Sequence, residues 1–332
     1  MNAQELPDVI TACRETDTPL LVLGPAGVGK SHVIREYCDE RQLPLIDRRL
    51  SMLDPVDLSG VPVPNETRTM YLPPSWIPQD DGPGLLFLDE LNLASPGTQA
   101  AAYQLIHDRR CGDAVLGRGW LPIAAGNREV DRCGTTTIKP ALLNRFMVVE
   151  LEVDAAAWQE WARAHDVSPE WRAYIQWRPE RLHTWTPETP ANTPFTTPRS
   201  FTAAATAWAR FGTSPHIRDM VAGLIGRNEA CEVFSFLALV ESIGDVDALL
   251  ADPDNAVVPN DPAVLYALLG ALATKAKAGA PPDTVWRYAT RLPVEYALLL
   301  SQDLAAICPA ALECAPYRQW AVQYQHALQR TA

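Results

Sequence analysis

Lysine is scarce in this chain. Only Lys30, Lys139, Lys275 and Lys277 occur, and the 28 lysines and arginines together face 40 acidic residues, for a formal net charge of −12. That deficit argues against a dedicated nucleic-acid-binding surface, while leaving room for a local basic pore. No run of 18 apolar residues is present, and no basic-plus-apolar leader opens the chain, so a soluble cytoplasmic protein without a membrane partner is expected. The seven cysteines (13, 38, 111, 133, 231, 308, 314) are odd in number, scattered, and never in a C-x-x-C pair, and the six histidines show no H-E-x-x-H spacing. Reduced, mostly buried thiols are the expectation, and a structural zinc site is not. Proline and tryptophan, by contrast, are plentiful at 29 and 10, and 332 residues leave room for two domains with large cores.

The scarcity of lysine gives Lys30 weight. It stands in the octet Gly24-Pro25-Ala26-Gly27-Val28-Gly29-Lys30-Ser31, directly after the apolar run Leu20-Leu21-Val22-Leu23. A buried strand turning through a glycine loop into a helix is the context that a phosphate-binding loop requires. Gly24, Gly27 and Gly29 let successive N–H groups point inward at phosphate oxygens, and the helix beginning near Lys30 adds the positive end of its dipole. In that setting Lys30 bridges the outer phosphates of a nucleoside triphosphate and the Ser31 hydroxyl holds Mg²⁺.

Along the chain, helical patterning is expected at 4–16, from Lys30 to about Glu40 with Val33, Ile34 and Tyr37 inward, and at Pro96–Asp108. Strands are expected at Leu43–Arg48, Leu85–Leu88 and Met147–Leu151. Asp54 offers an N-cap for a short helix ended by Gly60, and Pro140–Asn144 a further short helix. Val61–Val63 and Thr69–Leu72 flank a polar turn and suggest a β-hairpin. Asp113–Leu116 and Trp120–Ala125, joined through Gly117-Arg118-Gly119, suggest a second one whose return arm becomes a core strand. Strands alternating with helices in a chain of this kind give a parallel sheet of five strands with helices on both faces, an α/β core covering residues 1–153. Residues 154–198 are rich in tryptophan and proline and read as a linker, its Trp158, Trp161, Trp171, Trp177 and Trp185 packed on the first domain rather than forming a ligand cage. Residues 199–332 read as all-helical, with segments at 200–211, 216–226, 229–243, 262–279, 282–290, 293–307 and 316–330.

Two further strand ends carry chemistry. Leu85–Leu88 runs into Asp89-Glu90, which places paired carboxylates at the carboxyl end of a core strand, where ligands sit in open α/β sheets. Asp89 suits coordination of Mg²⁺ through water, and Glu90 suits polarising the attacking water. Pro122–Gly126 ends in Asn127, whose amide could orient that water or contact the γ-phosphate.

At this point the chain resembles the AAA+ ATPases, in particular the MoxR-like branch with its CbbQ, NorQ and gas-vesicle relatives. GPAGVGKS (24–31), DPVDLSGVPVP (54–64), LLFLDELNLA (85–94), AAGN (124–127), ALLNRF (141–146) and TPRSF (197–201) carry the resemblance, which spans about residues 15–210. It implies an αβα core with the phosphate-loop strand central, β-hairpin inserts, a helical lid, and a ring, usually a hexamer, that binds ATP and Mg²⁺. It implies that Asn127 is sensor one, that Arg145 is an arginine finger reaching a neighbour's γ-phosphate, and that Arg199 is sensor two. It also implies a separate adaptor with a von Willebrand factor A domain and a protein substrate to be remodelled. The helices beyond about residue 250 exceed what the smallest relatives carry, and no motif covers them. Arg48-Arg49 and Arg109-Arg110 read as solvated basic pairs. A nucleic-acid-associated motor, and a scaffold that binds ATP with little hydrolysis, are the alternatives.

Overall fold

A computed structural model describes residues 1–131, 136–242 and 246–328. The chain divides into two compact units, one of Met1–Asp154 with Thr186–Glu188, the other of Ala155–Trp185 with Thr189–Ala332.

The first unit is built on a five-stranded parallel sheet. Its strands are β1 (Leu20–Leu23), β2 (Leu45–Arg49), β5 (Gly84–Asp89), β8 (Trp120–Gly126) and β9 (Met147–Glu150), in the order β2-β5-β8-β1-β9. Two small hairpins, β3 (Val61–Pro64) with β4 (Thr69–Leu72) and β6 (Arg110–Cys111) with β7 (Ala114–Val115), interrupt the alternation. Period-two alternation sorts the apolar residues of the sheet onto two faces. Leu20, Val22, Leu85, Phe87, Ile123 and Ala125 pack with α1 (Leu6–Thr16) and α2 (Lys30–Arg41). Leu21, Leu86, Leu88 and Ala124 pack on the opposite face with Leu58 of α3 (Val56–Ser59), Leu105 of α4 (Pro96–His107) and Leu142 of α5 (Pro140–Leu143). The expected fold class is thus observed: an αβα core around a five-stranded parallel sheet, with hairpin inserts and a helical region after it.

The second hairpin differs from the expectation. Ala114 and Val115 pair with Arg110 and Cys111 rather than with β8, which is parallel to β1 and β5 along its length. The reason lies in Gly117-Arg118-Gly119, which is occupied elsewhere. Gly117 N donates to Pro78 O (2.9 Å), Arg118 N to Asp81 Oδ1 (2.7 Å), and Gly82 N to Arg118 O (2.9 Å). Tied to residues 78–82, this turn cannot also close a hairpin. A smaller correction concerns Asp54, which caps nothing with its side chain: Pro55 is the N-cap of α3, and the Asp57 carboxylate reaches back to Asp54 N (2.9 Å).

The second unit is helical: α6 (Ala155–Ala164), α7 (Pro169–Trp177), α8 (Pro198–Phe211), α9 (Ile217–Ile225), α10 (Arg227–Ser242), α11 (Val246–Ala251), α12 (Pro262–Lys277), α13 (Pro282–Ala289), α14 (Val294–Ile307), α15 (Ala315–Gln323) and α16 (Gln325–Leu328). The stretch read as a linker therefore carries two helices, α6 and α7. Three of its indole rings pack inside this unit: Trp158 and Trp171 lie edge-on to Phe201, and Trp177 stacks on Phe236. Indole rings bury large apolar areas, so a tryptophan-rich run with helical spacing serves better as core than as a tether. Arg163 and Arg172 converge on the buried Asp303 (2.7 and 2.5 Å), which ties α6 and α7 to α14. Residues 329–330 of the last expected helix lie outside the described residues. Among the described residues no helix is long and apolar enough to cross a membrane, and the six described cysteines are all free; Cys133 lies outside them.

Candidate nucleotide site

The register of the sheet brings three strand ends to one edge. Leu23 pairs with Gly126 across β1 and β8, and Leu88 pairs with Ala124 across β5 and β8. The chain leaves these strands as the Gly24–Ser31 loop, as Asn127 and as Asp89-Glu90, so residues far apart in sequence become neighbours.

In the loop, Gly27 and Gly29 hold φ of 77° and 108°, values that residues with a Cβ rarely adopt. Gly29 then starts α2. Lys30 is buried at 8 % exposure, its ammonium folded back over the loop. Nζ donates to Gly24 O (2.7 Å), Pro25 O (3.0 Å) and Asn127 Oδ1 (3.1 Å), all neutral oxygens. An ammonium folded back on the loop in this way stands where the outer phosphates of a bound nucleotide would meet it.

Beside it, Ser31 Oγ donates to Asp89 Oδ2 at 2.7 Å. A hydroxyl and a carboxylate oxygen at that separation are hard oxygen donors of the kind that Mg²⁺ takes. Asp89 is buried at 9 % exposure, and its other oxygen accepts from Glu90 N (2.9 Å), which fixes the carboxylate plane. Glu90 itself sits at φ 60°, ψ 37°, a left-handed conformation costly for a residue with a Cβ. That turn ends β5 sharply and sends the chain into a 3-10 turn, Leu91–Leu93. The Glu90 carboxylate, half-buried, accepts a short hydrogen bond from the Ser51 hydroxyl, which lies in the turn after β2. This bond holds the carboxylate in one place.

The structure brings Gly24–Ser31, Asp89, Glu90 and Asn127 together in this way. Arg145 stands apart, exposed on the turn between α5 and β9, beside a shallow recess lined by Pro140, Ala141, Leu143 and Asn144. Arg199 belongs to the second unit, exposed in the first turn of α8. Two polar side chains at the site escaped the reading of the sequence. Ser51 follows a strand without any pattern to mark it, and Asn92 stood inside the quoted LLFLDELNLA stretch, where a polar residue after an acidic pair passes for a solvated turn.

No protein-family model matches the chain, and no curated protein matches it in sequence. Solved structures resemble it loosely. The RuvB Holliday junction branch migration motor of Thermotoga maritima is 16 % identical with a TM-score of 0.44, over 90 % of this chain and 86 % of that one. NtrX of Brucella abortus in complex with ADP is 14 % identical with a TM-score of 0.43, over 93 % of this chain and 64 % of that one. Superpositions at this level assign neither a family nor a reaction.

Proposed function

We propose that the chain is an Mg²⁺-dependent ATPase of the MoxR-like AAA+ type, which works as a ring and remodels a protein partner through a separate von Willebrand factor A adaptor. The observation that carries the hydrolytic part is the meeting of Lys30, Ser31, Asp89 and Asn127 at the carboxyl edge of the sheet. The triphosphate of ATP displaces the carbonyls from Lys30 Nζ and takes up its charge, while the N–H groups of the loop cradle the β-phosphate. Ser31 and Asp89 fit the cation, which when bound neutralises charge on the phosphoryl group in transfer. Glu90, released from Ser51, orients water and accepts its proton, and Asn127 either donates from Nδ2 to the γ-phosphate or accepts at Oδ1 from that water. Arg145 and Arg199 complete the charge stabilisation, the first from the surface of a neighbouring subunit.

Phosphate release from wild type and Glu90→Gln tests this reading. Loss of the base costs about a hundredfold or more in rate. Equal background rates for the two proteins remove hydrolysis and leave a nucleotide-binding scaffold, and a Lys30→Ala protein with undiminished ATP affinity removes the site altogether.

A further inference from the structure

The backbone of Asn127 is held by a neighbour in both directions. Asn92 Oδ1 accepts from Asn127 N (3.1 Å), and Asn92 Nδ2 donates to Asn127 O (2.5 Å). Asn92 is 2 % exposed, so water does not compete for these bonds. A primary amide offers an acceptor and a donor side by side for such a two-way clamp; an ionised carboxylate lacks the donor and an alkyl group lacks both. The clamp also accounts for Gly126. A Cβ there would lie 2.7 Å from Asn92 Oδ1 and 3.0 Å from its Cγ, so the amide reaches Asn127 only past a residue without a side chain. Gly126 has no positive φ, so space and not backbone conformation is what calls for glycine at this position.

We infer that Asn92 is a positioning residue for ATP hydrolysis: it fixes the height of Asn127 over the phosphate loop and ties it to the turn that carries Glu90. This inference rests on the hydrolytic reading above. Its geometry is a chain of contacts: Glu90 turns β5 through a left-handed residue, the turn delivers Asn92 onto the tip of β8, and Asn127 Oδ1 meets Lys30 Nζ. The Glu90 carboxylate and the Asn127 amide would act on one reacting centre from two strands, and a shift of either by about 1 Å costs on the order of a hundredfold in rate. Asn92 sets their relative position without touching the nucleotide.

The test is a double-mutant cycle in the full-length protein, with Asn92→Ala, Asn127→Ala and the pair. Phosphate release gives kcat, and titration with a non-hydrolysable ATP analogue gives affinity. Asn92→Ala should lower kcat tenfold or more and leave analogue affinity within about threefold, because the loop, Lys30 and Ser31 are untouched. In the Asn127→Ala background the same change should cost less than twofold, since the clamp then holds a backbone that carries no side-chain amide to position. Gly126→Ala, which pushes the clamp from the other side, should reproduce the kcat loss in a protein that still binds the analogue. Equal falls in both backgrounds, or an affinity loss as large as the kcat loss, overturn the clamp. A wild-type protein that releases no phosphate overturns both the clamp and the hydrolytic reading, so the two failures are told apart.

Discussion

Glu229, buried in the second unit, accepts a 2.5 Å hydrogen bond from the Tyr174 hydroxyl and faces Arg181 at 3.4 Å. Burial pushes its carboxyl above the usual carboxylate range, and the Tyr174 hydroxyl and the Arg181 guanidinium pull it only part of the way back. The Tyr174 phenol is raised as well, first by burial and then by its bond to Glu229, so the proton of that bond stays on the tyrosine. A carboxyl that binds its proton more tightly when folded adds stability below its ordinary value of 4.5, and this contribution is lost as pH rises through the folded value. Glu229→Gln keeps an acceptor for Tyr174 and removes the charge. The melting temperature of the variant relative to wild type should therefore climb as pH rises from 4.5 and then level off. Thermal melts across that series check it, and a difference that stays flat or runs the other way contradicts the assignment. The same physics separates what could and could not be read from the sequence at this scale. Lys30 and Asp89 stand out by pattern: a glycine loop follows a buried strand at the one, and at the other an acidic pair that alone would pass for a solvated strand end gains meaning from that loop upstream. Asn92 and Glu229 are ordinary polar residues until the fold removes water from around them, and exposed Ser51 until it meets Glu90 across the fold.

The TPRSF stretch shows how one element can divide its labour. Thr197 Oγ1 accepts from Ser200 N (3.1 Å) and Ser200 Oγ accepts from Thr197 N (2.9 Å), a reciprocal capping box, with Pro198 in the first turn of α8. Phe201 is fully buried among Trp158, Trp171 and Tyr174. Four of the five residues thus start and anchor a helix, and the exposed side chain of Arg199 takes no part in either, as the proposed sensor role requires. Thr197→Ala should cost about 1 kcal/mol, a loss of roughly 2–4 °C in melting temperature. Arg199→Ala should melt as wild type does while losing phosphate release. Calorimetry and the hydrolysis assay, run on both variants, check this division; matched melting losses would return Arg199 to a structural role. Elements with strong local signals were legible in this way: the apolar runs of β1, β5 and β8, the helices on either side of the sheet, and the proline-led starts of α4, α12 and α13. The stretch 154–198 was not, because proline and tryptophan mark a tether as readily as a helical core, and only the partners Phe201 and Phe236, far along the chain, decide between them. The turn at 117–119 failed for a related reason: its hydrogen bonds go to residues 78–82, and no local pattern records a tie across nearly forty residues.

At the scale of the whole molecule, the site at the edge of the sheet has carboxylates, an ammonium and an amide, yet Arg145 stands exposed on a turn, and its guanidinium makes no hydrogen bond or ion pair among the described residues. Arginine is well matched to the charge of a phosphoryl group in transfer, and an arginine supplied by a neighbour makes hydrolysis conditional on assembly. Under the ring proposal each active interface needs one intact Arg145 and one intact Glu90, and these come from different subunits. Arg145→Ala alone should bind ATP with wild-type affinity and lose hydrolysis by a thousandfold or so. Glu90→Gln alone should also bind and also fail. Mixed, the two inactive proteins form some interfaces in which a Glu90-bearing subunit faces an Arg145-bearing one, so phosphate release should return, rise with the mixing ratio toward equal parts, and fall again beyond it. ATP and Mg²⁺ should shift the mass of the protein from a small oligomer toward a hexamer in the same solutions, read by light scattering. A mixture that stays inactive at every ratio while the hexamer forms would place both residues in one subunit's site and end the shared-interface model; a species that stays monomeric at high concentration with ATP and Mg²⁺ would end the ring.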